Sequence, residues 1–310
     1  MEVYSFVKGA FYWLLTIITV AGNLGILTAF ALIASQEHQL TKAEGILVNL
    51  AVSNIVACLS RLLPAALYEF GHEKFDDTSC TLITLAYRMF RSMSVHLTCL
   101  LSCFHWATVN LPTKKQMVAN SVCPLTVFLF LMNAAIIAVP VGLYSDLPFN
   151  SSNSLYTFNP GFCTFVFPSK LSFEVYGTFN FSLDLIFVAT MSIASCHLLL
   201  TLHRHRQRMK GLRGPDQRRG PRAESQAAKM VINLVSTYAI FYGIDNSVWI
   251  YQIISKGSHV VIIDMRILFS MCYSAVYPII LTVFNKKIQN VMVFSKVCKA
   301  GFCIWHKTQV

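Results

Sequence analysis

Hydrophobic residues run along this chain in long blocks separated by short polar or basic stretches. A helix needs roughly 20 mainly apolar residues to cross a hydrocarbon core of about 30 Å. Seven blocks meet that requirement, at 6–34, 46–70, 80–109, 121–144, 173–202, 227–254 and 263–284, and they leave 285–310 as a tail. The third block is the least apolar, and Pro64 stands where it is expected to bend the outer end of the second helix. The first block is longer than the hydrophobic region of a cleavable signal peptide and is flanked by Glu2 and Lys8, so it reads as a retained helix. No internal repeat or second domain interrupts the pattern. It predicts an all-α membrane protein, a single bundle of seven transmembrane helices.

Composition agrees, because 310 residues that are 55% hydrophobic and only 13% charged are too apolar to hide from water. The net charge of +11 invites a nucleic-acid reading, and its distribution removes that reading. Eight Lys and Arg residues lie between Arg204 and Arg222 against one acid, Asp216, and Lys42, Lys114, Lys115, Lys286 and Lys287 lie in links on the same side. The opposite links carry Glu69, Glu73, Asp76, Asp77, Asp146 and Glu174. Basic loops face the cytosol, so the N-terminus is expected outside and the C-terminus inside, with membrane lipid and a cytosolic protein as the partners of the basic link 203–222.

That orientation sorts the ten cysteines. Most fall inside helices and act as small apolar side chains. Cys80, at the outer start of the third helix, and Cys163, in the loop after the fourth, fall on the oxidising face, where a disulfide pinning the loop over the bundle mouth is expected. Asn150-Ser151-Ser152 in the same loop is a glycosylation acceptor on the correct side, whereas Asn180-Phe181-Ser182 falls within the fifth helix. Cys298 and Cys303 follow the last helix in a basic, partly apolar segment suited to palmitoylation.

Seven helices also suit a transporter or channel, so the class rests on particular residues. Gly22-Asn23 resembles the Gly-Asn pair of rhodopsin-like receptors, and Leu50-Ala51-Val52-Ser53-Asn54 resembles their second-helix motif with Asn in place of the usual Asp. The acid-arginine-tyrosine triplet of that class falls on Phe104-His105-Trp106, which does not match it. The run from Tyr87 to Ser94, continued by Thr98 to Ser102, resembles the third helix of vomeronasal type-1 receptors and of the related fish olfactory class A-like receptors, in which the triplet is replaced. Tyr277-Pro278 keeps the proline of the seventh-helix signature without its Asn or Tyr, again as in that family.

The resemblance implies a chemosensory G-protein-coupled receptor in the plasma membrane of olfactory or vomeronasal sensory neurons. Such a receptor binds a small odorant or pheromone inside the bundle and activates a heterotrimeric G protein. Its coupling surface would here include Phe104, His105 and Trp106. Bitter-taste receptors are the nearest alternative, and their usual lack of the extracellular cysteine pair counts against them.

Ionisable residues inside lipid-spanning helices are costly and face the interior, where they mark sites or pair with each other. Arg61, Arg88, Arg91, Asp184 and Asp245 are of this kind. Tyr87, Arg88 and Arg91 lie two to three turns below Cys80, the depth at which rhodopsin-like receptors hold ligands. Arg91 either receives an anionic or hydrogen-bonding group of a ligand or forms an internal ion pair with Asp245 or Asp184. Asp264 and Arg266 fall near the outer mouth, where water can solvate them, and Asn23 and Asn54 are expected to bond between helices. Neither His203 nor His205 has a metal-ligand partner at useful spacing, and phosphate loops and nucleophile elbows are absent. An enzyme, a metal site and a cofactor are therefore not expected.

Overall fold

A computed structural model describes residues 2–71, 75–144, 169–212, 222–255 and 260–299, with 157–158, 162 and 165–166 from the loop between the fourth and fifth helices. Seven long helices form the bundle: α1 (Glu2–Glu37), α2 (Lys42–Glu69), α3 (Asp77–Asn110), α4 (Lys115–Tyr144), α5 (Lys170–Leu212), α6 (Arg222–Ser255) and α7 (Val260–Phe284). A shorter helix, α8 (Lys286–Lys299), follows α7. Six of the seven are long and apolar enough to cross a bilayer by length and composition. The exception is α3, and its place in the bundle explains this. It packs against α2, α4, α5 and α6, so its faces meet protein more than lipid, and residues 93–102 are buried without interruption. The outward faces of α4 and α5 instead expose large apolar residues such as Phe128, Leu131, Ile186 and Ile193.

Helix ends are set by capping chemistry more than by hydrophobicity. At the start of α2, Thr41 and Glu44 form a reciprocal box, with the Thr41 N–H donating to Glu44 Oε2 at 2.7 Å and the Glu44 N–H donating to Thr41 Oγ1 at 3.3 Å. The helix stops at Gly71, whose φ of +90° suits a residue without a Cβ. Asp76 caps α3 by accepting from the Ser79 N–H and hydroxyl, and those bonds hold its carboxyl below the usual aspartate range. Asn285 caps α8 in the same way, accepting from the N–H groups of Lys287 and Ile288.

Every helix therefore starts at or before the apolar block that revealed it, and α5 also runs further at its end. The basic link expected to be a loop from residue 203 is helical as far as Leu212, because Arg, Gln, Met and Lys favour helix and no proline intervenes before Pro215. The segment 286–299, expected as part of a plain tail, is α8. Lys287 Nζ ties it to the bundle through Glu37 at 2.7 Å and Glu44 at 3.1 Å.

Two buried clusters fill the interior. One gathers apolar side chains of α1, α2, α3, α6 and α7, including Phe30, Leu50, Leu97, Leu234 and Tyr277. The other lies toward the Cys80 end and joins Tyr12, Leu62, Tyr87 and Met271 to Phe162 of the α4–α5 loop. Phe162 is buried and meets Phe75 edge to face at 5.6 Å, so this residue packs onto the bundle. Among the described residues of this loop, the short strands β1 (Thr157–Phe158) and β2 (Phe165–Val166) pair antiparallel on either side of Phe162. Polar pins cross between helices as expected: Asn23 Nδ2 of α1 donates to the Ser274 carbonyl of α7 at 3.0 Å, and Asn54 Oδ1 of α2 accepts from Ser94 of α3 and Ser274 of α7.

A candidate ligand cavity inside the bundle

Between α2, α3, α4, α5, α6 and α7, on the Cys80 side of the main core, lies a cavity of about 140 Å³. Arg91 is eleven residues past Cys80, which puts it roughly 16 Å along the helix axis from the cysteine. The regular turn of α3 brings Tyr87, Arg88, Arg91, Ser92 and His96 to the cavity wall at successive spacings of one, three or four residues. Arg61 comes from α2, Asp184 from α5, Asp245 from α6 and Arg266 from α7. Apolar surface comes from α4 and α5, through Met132, Ile136, Phe181 and Phe187.

All five residues expected to bind ligand, Tyr87, Arg88, Arg91, Asp184 and Asp245, line this one space. Their electrostatics differ. Asp245 is buried and answers two guanidinium groups, Arg91 at 2.5 Å and Arg266 at 3.6 Å. Arg91 also lies 5.8 Å from the Tyr242 ring. Asp184 faces the cavity and makes no ion pair among the described residues. Among the described lining residues four arginines stand with two aspartates.

Arg266 corrects the sequence expectation, since it is drawn inward by Asp245 instead of being solvated. Asp264 is likewise engaged, accepting from Lys8 at 3.2 Å and from the hydroxyls of Tyr4 and Tyr12 at 3.1 Å each. Lys8 also binds Glu69 at 2.5 Å, so a polar knot joins α1, α2 and α7 at the Cys80 end. Sequence reasoning missed His96 and Asn133. The His96 ring lies tilted against Phe187 at 4.0 Å, and Asn133 Nδ2 donates to the Met89 carbonyl at 2.8 Å, joining α4 to α3. A single polar residue in an apolar run was the available signal for Asn133, whereas His96 sits among the serines and threonine of the least apolar block and carried none.

Below the cavity a file of tyrosines continues toward the other end. Tyr238 meets Tyr242 at 5.8 Å and Tyr273 at 4.8 Å, Tyr273 meets Tyr277 at 6.4 Å, and the Tyr277 hydroxyl donates to the Leu47 carbonyl at 2.7 Å. Phe104, His105 and Trp106 lie in the last turns of α3, half-buried, with His105 Nε2 lacking a hydrogen-bond partner. Cys80 is disulfide-bonded, while the expected partner Cys163 and the acceptor Asn150 lie outside the described residues. The other acceptor triplet places Asn180 on the cavity wall. Cys298 stands near the end of α8, and Cys303 lies outside the described residues.

Helices gathered around a polar cavity in this manner fit a membrane receptor of the seven-helix class. The chain belongs to the vomeronasal type-1 receptor family, for it matches the vomeronasal organ pheromone receptor family over residues 7–294. It is 33% identical to olfactory receptor class A-like protein 1 of Danio rerio over 301 residues, covering 94% of each chain. Human vomeronasal type-1 receptor 1 shares 24% over 284 residues, covering 88% of this chain and 79% of that one, and human vomeronasal type-1 receptor 2 shares 22% over 275 residues, covering 86% and 68%. The protein is accordingly a multi-pass plasma-membrane receptor of the chemosensory G-protein-coupled kind, and its family is one of receptors and not of enzymes. The family match also decides against the bitter-taste alternative.

Proposed function

We propose that the cavity receives a small odorant or pheromone from the Cys80 end and that its occupancy activates a heterotrimeric G protein at the opposite end. The observation that carries this reading is the convergence of Tyr87, Arg88, Arg91, Asp184 and Asp245 on one cavity within an otherwise apolar bundle. Charge distribution supports an outer Cys80 end and a cytosolic 203–222 link. In that orientation a Cys80–Cys163 bond holds the α4–α5 loop across the mouth, in keeping with the packing of the neighbouring Phe162, and Asn150 carries a glycan outside.

Coupling requires that the ligand bind one helix arrangement more tightly than another. The arrangement best placed to differ is the contact between α3, α6 and α7 through Arg91, Asp245 and the tyrosine file, which leads from the cavity toward the cytosolic end. There Phe104, His105 and Trp106, with the ends of α5 and α6, form the surface for the G protein. His105 takes the place of the arginine found in most rhodopsin-like receptors, so this contact rests on ring and shape complementarity more than on a fixed charge.

The test is calcium or cyclic-nucleotide signalling in cells expressing the receptor with a promiscuous G protein, challenged with small acids, amines and steroids. A response that disappears in Ser92→Phe, which fills the cavity, at unchanged surface expression supports the reading. Ligand-driven ion or solute flux without any G protein would replace it with a transporter.

A further inference from the structure

Arg61 is a cavity arginine without an ion-pair partner among the described residues. It is 4% exposed, its Nε has no hydrogen-bond partner, and none of the ion pairs among the described residues includes it. Its neighbour is the Tyr87 ring, 5.0 Å from the guanidinium carbon. A ring face attracts a cation, but less strongly than water solvates one, so the stacking orients Arg61 without repaying its burial. The contrast with Arg91 is direct. Arg91 already holds Asp245 at 2.5 Å and Asp245 also meets Arg266, whereas Arg61 forms an ion pair with neither cavity aspartate. Among the described lining residues arginines outnumber aspartates by two. A buried, unpaired, cavity-facing guanidinium is a preformed seat for an anion, and its planar fork fits a carboxylate or sulfonate by two parallel bonds.

We infer that the receptor is selective for small organic anions and that Arg61, more than Arg91, seats the ligand's acid group. This rests on the reading of the cavity as the ligand site. The acid lies against Arg61 and the Tyr87 edge, while Met132, Ile136, Phe181 and Phe187 of α4 and α5 receive a compact apolar or aromatic body. Arg91, Asp245 and Arg266 then frame the site without contributing the primary charge contact.

The experiment is thermal unfolding of the full-length receptor in lipid nanodiscs with benzoate and benzenesulfonate, compared with benzamide and benzyl alcohol at equal ionic strength. The two anions are expected to raise Tm and the neutral compounds to leave it within a degree or so, since a ligand stabilises in proportion to the sites it fills. Arg61→Gln should weaken anion binding about tenfold to a hundredfold, the range set by loss of a charged hydrogen bond, and Arg61→Lys should recover part of it. The unliganded Arg61→Gln protein should melt at or above the wild-type temperature, because it no longer buries an unpaired charge. Equal stabilisation by acids and amides, no stabilisation by either, an anion preference that survives Arg61→Gln, or a lowered Tm of that unliganded variant would each overturn the assignment. Signalling separates this from the receptor reading: anion binding that triggers no G protein removes the receptor function and keeps the seat, whereas neutral agonists indifferent to Arg61→Gln do the reverse.

Discussion

Asp245 is the side chain on which the cavity's charge arrangement depends, because it answers Arg91 and Arg266 together while being buried itself. Removing Asp245 leaves Arg91 buried without its ion-pair partner, at a cost of about 3–5 kcal/mol. Asp245→Asn should therefore lower the melting temperature of the purified receptor strongly. The double variant Arg91→Leu with Asp245→Leu should recover much of that loss, and a double variant no better than the single one would show that the pair adds little. The pairing of an intramembrane arginine with an intramembrane aspartate was legible from the sequence, since neither charge is tolerable alone in lipid. The inward turn of Arg266 was not. Position along a helix can be read from spacing, but the direction a residue near a helix end faces depends on the neighbour that draws it, here Asp245 of α6.

The packing of α1 on α7 turns on a glycine. A Cβ added at Gly22 would meet Pro278 Cγ at 2.8 Å and Cβ at 3.2 Å, and Pro278 is held by its ring. Gly22→Ala is expected to destabilise by about 1–3 kcal/mol through overpacking, while Gly25→Ala, with open space around it, should be neutral or stabilise by about 0.5–1 kcal/mol through helix propensity. Thermal unfolding of the two variants side by side checks this, and equal effects would contradict the close approach. The Gly-Asn pair and the Tyr-Pro pair were both visible in the sequence as motifs. That they are each other's neighbours was not, because 256 positions separate residue 22 from residue 278 and only folding joins them.

At the other end of α1, Lys287 is held protonated by Glu37 first and Glu44 second, which raises its pKa above the ordinary lysine value. A raised lysine pKa stabilises the folded form at all pH values below that of the unfolded lysine, and the contribution fades as pH rises through the raised folded value. The tie of α8 should thus be flat across neutral pH and loosen only in strongly alkaline solution. Since Lys287 is largely exposed, its ties are worth under about 1 kcal/mol. Lys287→Met should accordingly raise amide hydrogen exchange in 286–299 only a few-fold, and unchanged exchange would show that apolar packing alone docks the helix. No apolar block announced α8, because a helix at the membrane edge alternates faces and never reaches spanning length.

For the molecule as a whole, the hydrophobic pattern marked all seven long helices, six of which are long and apolar enough to span, since each helix must satisfy its own backbone in lipid. The exact ends were less legible: lipid thickness limits the apolar block, whereas caps such as Thr41, Asp76 and Asn285 limit the helix. The cavity was legible as a set of charges at one depth, and its apolar wall from α4 and α5 was not, because such residues look the same whether they face lipid or ligand. The measurement that bears most directly on the central claim uses the purified receptor in nanodiscs with a purified heterotrimeric G protein, following nucleotide exchange as small organic acids are added. The account predicts exchange that rises with acid concentration and falls to the basal rate in Ser92→Phe. Exchange that no small molecule alters, together with ligand-driven flux through the same protein in sealed vesicles, would contradict it.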